Sequence, residues 1–293
     1  MSYRSRRHRT PWIAYIVVTI GGISMLAPFA SMVSTSFFGP GQYGVFPFHF
    51  LPQEPTWDNY ATAFRQLKLT HLFTNSVIVT VCVTACVLLT SAMAGYALAK
   101  LRFRGRAVLF RFILATMMLP PFLLLIPDFL IMLNWPLVGG NNILGQGGDG
   151  MTTIILSLML PFLVSGFGIF LMRQFIVSIP NEMLEAARID GAGEWRIFFQ
   201  IILPQVTPAA VTLGIITFVG QWNEYIWTSL IASMNPDLMT LPVGIQLLQY
   251  TIDPSKTMPS VMAGVVVSTI PVLIVFLIFQ KYYVRGVVLS GLK

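Results

Sequence analysis

Long apolar runs alternate with short polar segments along most of the chain. Six of these runs are each close to the roughly 20 residues that a helix needs to cross the hydrocarbon core of a bilayer. They cover residues 12–35, 72–98, 108–133, 152–172, 206–231 and 261–282. The pattern predicts an all-α integral membrane protein with six transmembrane helices, in which residues 12–283 form one polytopic domain.

A polar segment, residues 177–205, separates the fourth and fifth runs and predicts two short helices joined by a bend. Pro180 suits the first position of a helix, because no backbone N–H is needed there. Gly191 and Gly193 favour a break after the first helix, since glycine turns the chain at little cost. The second helix is expected to end at Pro204. It carries an apolar face of Ile197, Phe198, Ile201 and Ile202. Together these features predict an amphipathic elbow at a membrane surface.

Prolines and small residues interrupt several of the apolar runs. Pro120 and Pro121 lie in the third run, and Pro161 lies in the fourth. A proline removes a backbone hydrogen bond that lipid cannot replace, so these helices are expected to be kinked and to face protein or water. A short interfacial helix is expected to begin near Asp58. The second run ends in small residues that favour close helix contact, namely Ser91, Gly95 and Ala99.

The composition and the charge distribution support a membrane location. Of the 293 residues, 55% are hydrophobic and only 10% are charged, which is far from the composition of a soluble domain. Fifteen of the eighteen Lys and Arg lie in or beside the N-terminus, the loops after the second and fourth runs, and the C-terminus. This asymmetry predicts that the basic N-terminus (1–11) and the C-terminal tail (284–293) are both cytoplasmic. It also argues that the net charge of +7 reflects topology rather than a nucleic-acid partner.

The elbow contains three groups of residues that carry a family resemblance, namely Glu185-Ala186-Ala187, Asp190-Gly191-Ala192 and Ile202-Leu203-Pro204. This pattern resembles the cytoplasmic coupling loop of binding-protein-dependent ABC importer permeases. Three further segments are similar to the carbohydrate branch, in particular to its maltose-permease-like second subunit: AGYALAKLRFRGR (94–106), QWNEYIW (221–227) and FQKYYVRGVVLSGLK (279–293). The resemblance covers essentially the whole chain. One departure is the Gly-rich segment 134–150, which is longer than expected in this family.

The resemblance implies a multi-pass subunit of a bacterial or archaeal inner membrane, with the elbow seated on an ATPase partner. The residues implied in ATPase coupling are Glu185, Ala186, Ala187, Asp190, Gly191, Leu203 and Pro204. Small alanines permit close approach, and Glu185 can form charge-assisted hydrogen bonds with a basic group. Arg188 and Asp190 have an alternative role in ion pairs within the elbow. The implied partners are a sister permease, two ATP-binding cassette ATPase subunits, an extracytoplasmic solute-binding protein and a sugar substrate. The loop 235–260 is implied to contact the binding protein.

The fifth run contains polar residues that are expensive to place in a bilayer. Asn223 and Glu224 lie toward its outer end, and an acidic side chain in a membrane usually faces a cavity or a partner. Two interpretations remain open for Glu224, a structural hydrogen-bond anchor and a residue of the translocation pathway. Trp222 and Trp227 are interpreted as anchors at the membrane interface rather than as platforms for sugar stacking.

No pattern of residues indicates catalysis, a cofactor or a metal site. The phosphate-binding motif of ATPases is missing, so ATP hydrolysis is assigned to a separate partner chain. The three histidines are scattered, and no pair of carboxylates has a spacing typical of glycoside chemistry. A secondary transporter driven by an ion gradient is the alternative function, and it would need ionisable groups near mid-membrane. A membrane-embedded transferase or scaffold would need a polar cluster that the sequence does not show.

Overall fold

The computed structural model describes residues 12–47, 49–66, 68–248 and 254–290, and within these ranges all regular structure is helical. The α-helices described there are α1 (Trp12–Thr35), α2 (Asp58–Gln66), α3 (Leu69–Lys100), α4 (Arg106–Thr116), α5 (Pro121–Leu133), α6 (Gly166–Val177), α7 (Asn181–Ile189), α8 (Glu194–Ile197), α9 (Leu203–Gln205), α10 (Thr207–Trp222), α11 (Ile226–Met234), α12 (Leu241–Leu248) and α13 (Pro254–Ser290). The predicted all-α class is therefore confirmed. The basic residues of the N-terminus and the last three residues of the chain lie outside the described ranges.

Three of the six predicted spans are single long helices. The segments Ala14–Thr35 in α1, Leu69–Lys100 in α3 and Thr257–Gln280 in α13 are long and apolar enough to cross a membrane. Helix α13 continues to Ser290, past the predicted end of the sixth span at residue 282. The described residues therefore contain at least three candidate spans, and up to six if bent helix pairs are counted as single spans.

The third and fourth apolar runs are bent, as the prolines predicted. Helices α4 and α5 meet at 100°, and Pro121 is the first residue of α5. The fourth run, predicted as a kinked span over residues 152–172, is irregular in its first half. It begins with three short 3₁₀ segments that end at Phe162, and α6 follows at an angle of 47°. The Ser165 hydroxyl starts α6 by accepting a hydrogen bond from Gly168 N at 3.0 Å.

The fifth run is also divided, in contrast to the single predicted span 206–231. Helix α10 ends at Trp222, and α11 begins only at Ile226. The apolar length before α10 is instead supplied by residues 194–205, which meet α10 at 77°. A polar residue pair, Asn223 and Glu224, occupies the break between α10 and α11. Polar side chains that bond to nearby backbone compete with a continuous helix, which explains the interruption.

The chain divides into two compact units. The first comprises Met1–Leu69 and Ile245–Val267, and it includes α2. Helix α2 begins at Asp58, as predicted. Its Asn59 side chain donates to Ser36 O at 2.9 Å and to Phe38 O at 2.8 Å. These two hydrogen bonds join α2 to the segment that follows α1.

The second unit comprises Thr70–Gly244 and Ser268–Lys293, and its core brings α3 and α6 into close contact. A methyl group on Gly95 would lie 2.9 Å from Arg173 N, and one on Gly168 would lie 2.3 Å from Ser91 Oγ. At Gly95 the nearest atom is backbone, which cannot rotate away, so glycine permits this close approach of the two helices. The predicted packing role of the small-residue face is therefore confirmed.

The Gly-rich segment 134–150 is a compact loop organised around one asparagine. The Asn141 side chain donates to Leu133 O at 2.8 Å and to Trp135 O at 3.0 Å, and it accepts from Gly148 N at 2.8 Å. Asn141 is buried, so its three hydrogen bonds satisfy the polar side chain inside the loop. The extra length of this segment is thus folded structure in the second unit.

Candidate functional site

The first half of the elbow is α7, which has a well-defined end. Helix α7 begins at Asn181, one residue after the expected start at Pro180, because the backbone of Pro180 is extended rather than helical. At the other end, Gly191 N donates to Arg188 O at 3.0 Å, and Ala192 N donates to Ala187 O at 2.9 Å. These two bonds form a Schellman motif, which requires a residue with positive φ just after the helix. Gly191 has φ of +80°, so the predicted glycine break is confirmed.

The second half of the elbow is longer than predicted, because Pro204 does not end it. Helix α8 passes into a π-helical turn at Phe198–Ile202, and α9 continues to Gln205. In the widened turn, Leu203 N donates to Phe198 O, five residues back. Pro204 follows as the second residue of α9 and is tolerated there, since the regular hydrogen-bond pattern is already interrupted.

The elbow is fixed to the second unit through an apolar base. Leu184 of α7 is buried, as are Ile197, Phe198 and Ile202 of the second half. These side chains belong to the same hydrophobic core as residues of α3 and α6. The predicted face is therefore confirmed, with Ile201 partly buried at its edge. Burial of each large side chain contributes about 1.5–3 kcal/mol, so the base is expected to stay folded when the outer surface is changed.

The outer surface of α7 combines charge, small size and one large apolar side chain. Glu185, Ala186 and Asp190 are exposed, and among the described residues neither carboxylate forms an ion pair. Ile189 is 86% exposed. Ala187 instead packs partly against the core. Two other predicted coupling residues lie in α9, where Leu203 packs on the core and Pro204 is exposed.

Lys100 joins the end of α3 to the start of the elbow. Its ammonium group donates to the backbone oxygen of Ile179 and to Asn181 Oδ1, the latter at 2.9 Å. A weaker contact reaches Val177 O at 3.4 Å, at the end of α6. One cation thus satisfies acceptors on both sides of the turn between α6 and α7. Hydrogen bonds to a charged group are worth about 1.5–3 kcal/mol when sheltered, and less at this partly exposed position.

A second connection runs from α3 to both halves of the elbow. The Tyr96 hydroxyl donates to Glu194 Oε2, and Arg188 Nε donates to Glu194 Oε1 at 2.9 Å. The hydrogen bond to Glu194 raises the pKa of Arg188. The ion-pair alternative is therefore confirmed for Arg188, with Glu194 as its partner, while Asp190 is not part of the pair. We call Tyr96, Lys100, Arg188 and Glu194 the α3 latch.

The structure favours the anchoring role for Glu224. Its carboxylate accepts from Trp227 N at 2.7 Å and from Thr228 N at 3.0 Å, which are the second and third residues of α11. The Thr228 hydroxyl adds a hydrogen bond at 2.7 Å. Glu224 thus satisfies free N–H groups at the start of α11 and complements the helix dipole. The Asn223 side chain is exposed and donates to Val219 O at 2.8 Å.

The interpretation of two tryptophans as interface anchors is wrong. Trp222 and Trp227 are both buried, and each indole N–H donates to a backbone oxygen within the second unit. Trp222 bonds to Ser268 O at 3.0 Å, and Trp227 bonds to Ser157 O at 2.9 Å. A buried indole needs such a partner, and an indole at a lipid interface would find water instead. These side chains therefore support the packing on either side of the α10–α11 break.

Comparison with known proteins identifies the family. A family model described as the inner membrane component of binding-protein-dependent transport systems matches residues 87–289, which is more than half of the chain. The chain belongs to this family. The matched range includes the whole elbow, the α3 latch and the α10–α11 break. This permease is accordingly a multi-pass inner-membrane protein, and the predicted class and location are confirmed.

Individual relatives place this permease beside carbohydrate transporters. It is 34% identical over 284 residues to a sulfoquinovosyl glycerol transport permease of Agrobacterium fabrum, covering 96% of this chain and 93% of the relative. It is 32% identical over 245 residues to an arabinooligosaccharide transport permease of Halalkalibacterium halodurans, covering 83% and 82%. A diacetylchitobiose uptake permease of Streptomyces coelicolor is 30% identical over 273 residues, covering 92% and 84%. The resemblance to the carbohydrate branch is thereby confirmed.

A solved structure shares the fold of this permease over nearly its whole length. A chain of a bacterial ABC transporter involved in the import of the acidic polysaccharide alginate superposes with a TM-score of 0.79 and 25% identity. The superposition covers 97% of this chain and 100% of that chain. A more distant chain, from an alginate transporter in complex with its pentasaccharide-bound periplasmic protein, has a TM-score of 0.60 at 15% identity and supports the fold alone.

Several residues of the site were not identified from the sequence. In the sequence, Lys100 counts only toward the charge asymmetry and the family resemblance, Tyr96 lies in a segment that carries that resemblance, and Glu194 is one residue of the predicted elbow. The signal available was charge, because Lys100 and Glu194 are ionisable residues beside apolar runs. Ile189 gave no signal, since an isoleucine in an amphipathic helix is normally buried.

Proposed function

We propose that this permease is one of two membrane subunits of an ATP-driven importer that carries a sugar or oligosaccharide into the cell. In the proposed assembly it pairs with a sister permease and binds two ATP-binding cassette ATPase subunits on the cytoplasmic side. An extracytoplasmic solute-binding protein delivers the sugar. The names of the relatives support this substrate class, and the alginate-importing ABC transporter at 25% identity supports the type of assembly.

The proposed topology has six crossings with both termini in the cytoplasm. Three long helices and three bent pairs are compatible with six spans when each pair is one crossing. The basic residues of segments 1–11, 100–111, 173–196 and 281–293 would then share the cytoplasmic side. The transmembrane domain would cover residues 12–283, and 284–293 would be a cytoplasmic tail.

The observation that carries the coupling proposal is an exposed knob on a buried base. Glu185, Ala186, Ile189 and Asp190 form the knob, while the apolar base and the α3 latch hold the elbow to the second unit. Gly191 shapes the turn behind the knob. When the ATPase subunits close on nucleotide, they would displace the knob, and the stiff base would carry this movement into α3. Close-packed interiors transmit such strain because they have few voids to absorb it.

Purification from native membranes tests the proposed assembly. We expect the tagged chain to retain ATPase and sister permease subunits, and proteoliposomes of the complex to take up sugar only with ATP and the loaded binding protein. Glu185→Lys should abolish uptake and ATPase retention, because the knob would then repel the basic partner group. Glu54→Lys makes the same charge change at an exposed residue of the first unit and should behave as wild type. Uptake by the lone chain without ATP would instead indicate a secondary transporter.

Cysteine labelling tests the proposed topology separately. In a background that lacks Cys82 and Cys86, Glu185→Cys should react with a membrane-impermeant maleimide only after the cytoplasmic side is opened. Asn142→Cys, in the Gly-rich loop, should react from the outside of intact cells. If both positions react from the same side, the chain does not cross the membrane once between the loop and the elbow. The opposite pattern would contradict the proposed orientation.

A further inference from the structure

A large open groove lies between the elbow and the loop that connects α3 to α4. Its volume is about 1200 Å³. One wall is formed by the continuous segment 99–108, and the other by residues of α7 and α8, namely Asn181, Leu184, Glu185, Arg188 and Glu194. We call this feature the basic groove. All of its residues belong to the second unit.

The charged residues of the basic groove are mostly cations. Five basic and two acidic residues line it, for a formal charge of +3. Lys100, Arg188 and Glu194 are already engaged in the α3 latch, and Arg106 Nη1 donates to Leu101 O at 3.1 Å. Arg102 and Arg104 are exposed, and the described residues offer neither of them a carboxylate within ion-pair distance. Two guanidinium groups are thus available to an anion, and guanidinium binds phosphate in a bidentate geometry.

The basic groove continues into an apolar helix surface. Helix α4 begins at Arg106, has no acidic residue in its first turn and contains no buried residue. Phe110 stacks on Phe170 of α6 with ring centroids 6.4 Å apart, so one side of α4 is covered. Val108 and Phe112 are 62% and 64% exposed on the rest of its surface. The cations at the start of α4 complement an anionic headgroup, and its exposed apolar side chains complement hydrocarbon chains.

We propose that the basic groove binds the phosphate of an anionic phospholipid headgroup, with the acyl chains lying along the exposed side of α4. Arg102 and Arg104 would contact the phosphate, and the bilayer leaflet on the elbow's side would supply the lipid. Because Asn181 and Arg188 line the opposite wall, an occupied groove joins the α3–α4 loop to the elbow. The site requires that the chain is an inner-membrane protein. Its phosphate contacts, Arg102 and Arg104, are not part of the knob, although Glu185 belongs to both the knob and the groove wall.

Lipid titration of the purified full-length chain tests the site. The chain in detergent micelles is titrated with phosphatidylglycerol and with phosphatidylcholine of the same acyl chains, and then with inorganic phosphate. Lipid adducts are counted by native mass spectrometry, and the melting temperature is followed in parallel. We expect saturable adducts and a raised melting temperature with phosphatidylglycerol, and neither effect with phosphatidylcholine or inorganic phosphate. Equal effects of both lipids, or inorganic phosphate acting at the same concentration as phosphatidylglycerol, would overturn the proposal.

Paired charge variants locate the binding. Arg102→Gln combined with Arg104→Gln should raise the half-saturating phosphatidylglycerol concentration roughly fivefold for each arginine removed. Arg65→Gln combined with Lys68→Gln removes the same charge from the first unit and should leave the titration unchanged. Equal titrations of the groove variant and wild type would refute the site. The site would also be refuted by two results seen together: the lipid adduct disappears when the chain is assembled with its partners, and the groove variant no longer retains the ATPase subunits. The groove would then be a protein interface.

Discussion

The turn of the elbow depends on a backbone conformation that only glycine adopts readily. Gly191 has φ of +80°, and apart from its chain neighbours no atom of the described residues lies within 4 Å of the position of an added Cβ. The penalty of Gly191→Ala is therefore a backbone penalty without a steric clash, and it amounts to about 1–2 kcal/mol for an L-residue in the left-handed region. This lowers the population of the native turn roughly five- to thirtyfold relative to alternatives.

Proline at the same position removes the turn altogether. Gly191→Pro forces φ to about −65° and removes the N–H that donates to Arg188 O at 3.0 Å. The Schellman motif cannot form, so α7 loses its fixed direction relative to α8. The apolar base of Ile197, Phe198 and Ile202 remains, and for that reason we expect the chain to stay inserted at wild-type level. Transport should fail because the knob no longer has a defined position.

Gly193 supplies a matched control only two residues away. It has φ of −71°, which is ordinary for any residue, and an added Cβ would likewise have no atom of a described residue within 4 Å, its chain neighbours aside. Gly193→Ala should therefore change stability by less than about 0.5 kcal/mol. Gly191→Asn should fall between Gly191→Ala and wild type, since asparagine tolerates positive φ.

The assay is ATP-dependent sugar uptake by proteoliposomes of the complex, with membrane level and ATPase retention measured in parallel. We expect wild-type uptake for Gly193→Ala, a several-fold reduction of uptake for Gly191→Ala and no uptake for Gly191→Pro. Wild-type uptake by Gly191→Pro would refute the reasoning. Equal defects in Gly191→Ala and Gly193→Ala would show that flexibility, rather than positive φ, is what the turn requires.

Two further predictions concern the latch and the α10–α11 break. Lys100→Met should lower the melting temperature by about 2–4 °C for each kcal/mol of lost hydrogen bonding, and it should reduce the sugar taken up per ATP hydrolysed. Lys100→Arg should restore part of both. An unchanged ratio of sugar uptake to ATP hydrolysis in Lys100→Met would contradict a role in coupling. Glu224→Ala should destabilise the protein by about 1–2 kcal/mol, because α11 loses its helix cap, and uptake should fall only in proportion to the amount of folded protein. If Glu224→Gln is folded but takes up no sugar, Glu224 is instead a residue of the translocation pathway.

Local features of the chain determined the helical class, the position of the elbow and the shape of its turn. The start of α2 at Asp58, the break at Gly191 and the buried face of Ile197 and Phe198 were all predictable. Each depends on a residue and its immediate neighbours, either through backbone preference or through helical periodicity. The family resemblance rests on the same segment, because a polar turn between apolar runs is conspicuous in a membrane protein.

Only the tertiary structure decided which apolar residues face protein and which polar groups meet. Trp222 and Trp227 are buried rather than interfacial, because hydropathy does not distinguish a lipid neighbour from a protein neighbour. Tyr96 and Glu194 are 98 residues apart in sequence and meet only because α3 packs against the elbow. Residues so far apart have no local signal for each other. Their contact depends on the packing of whole helices, which brings distant hydrogen-bonding groups within reach.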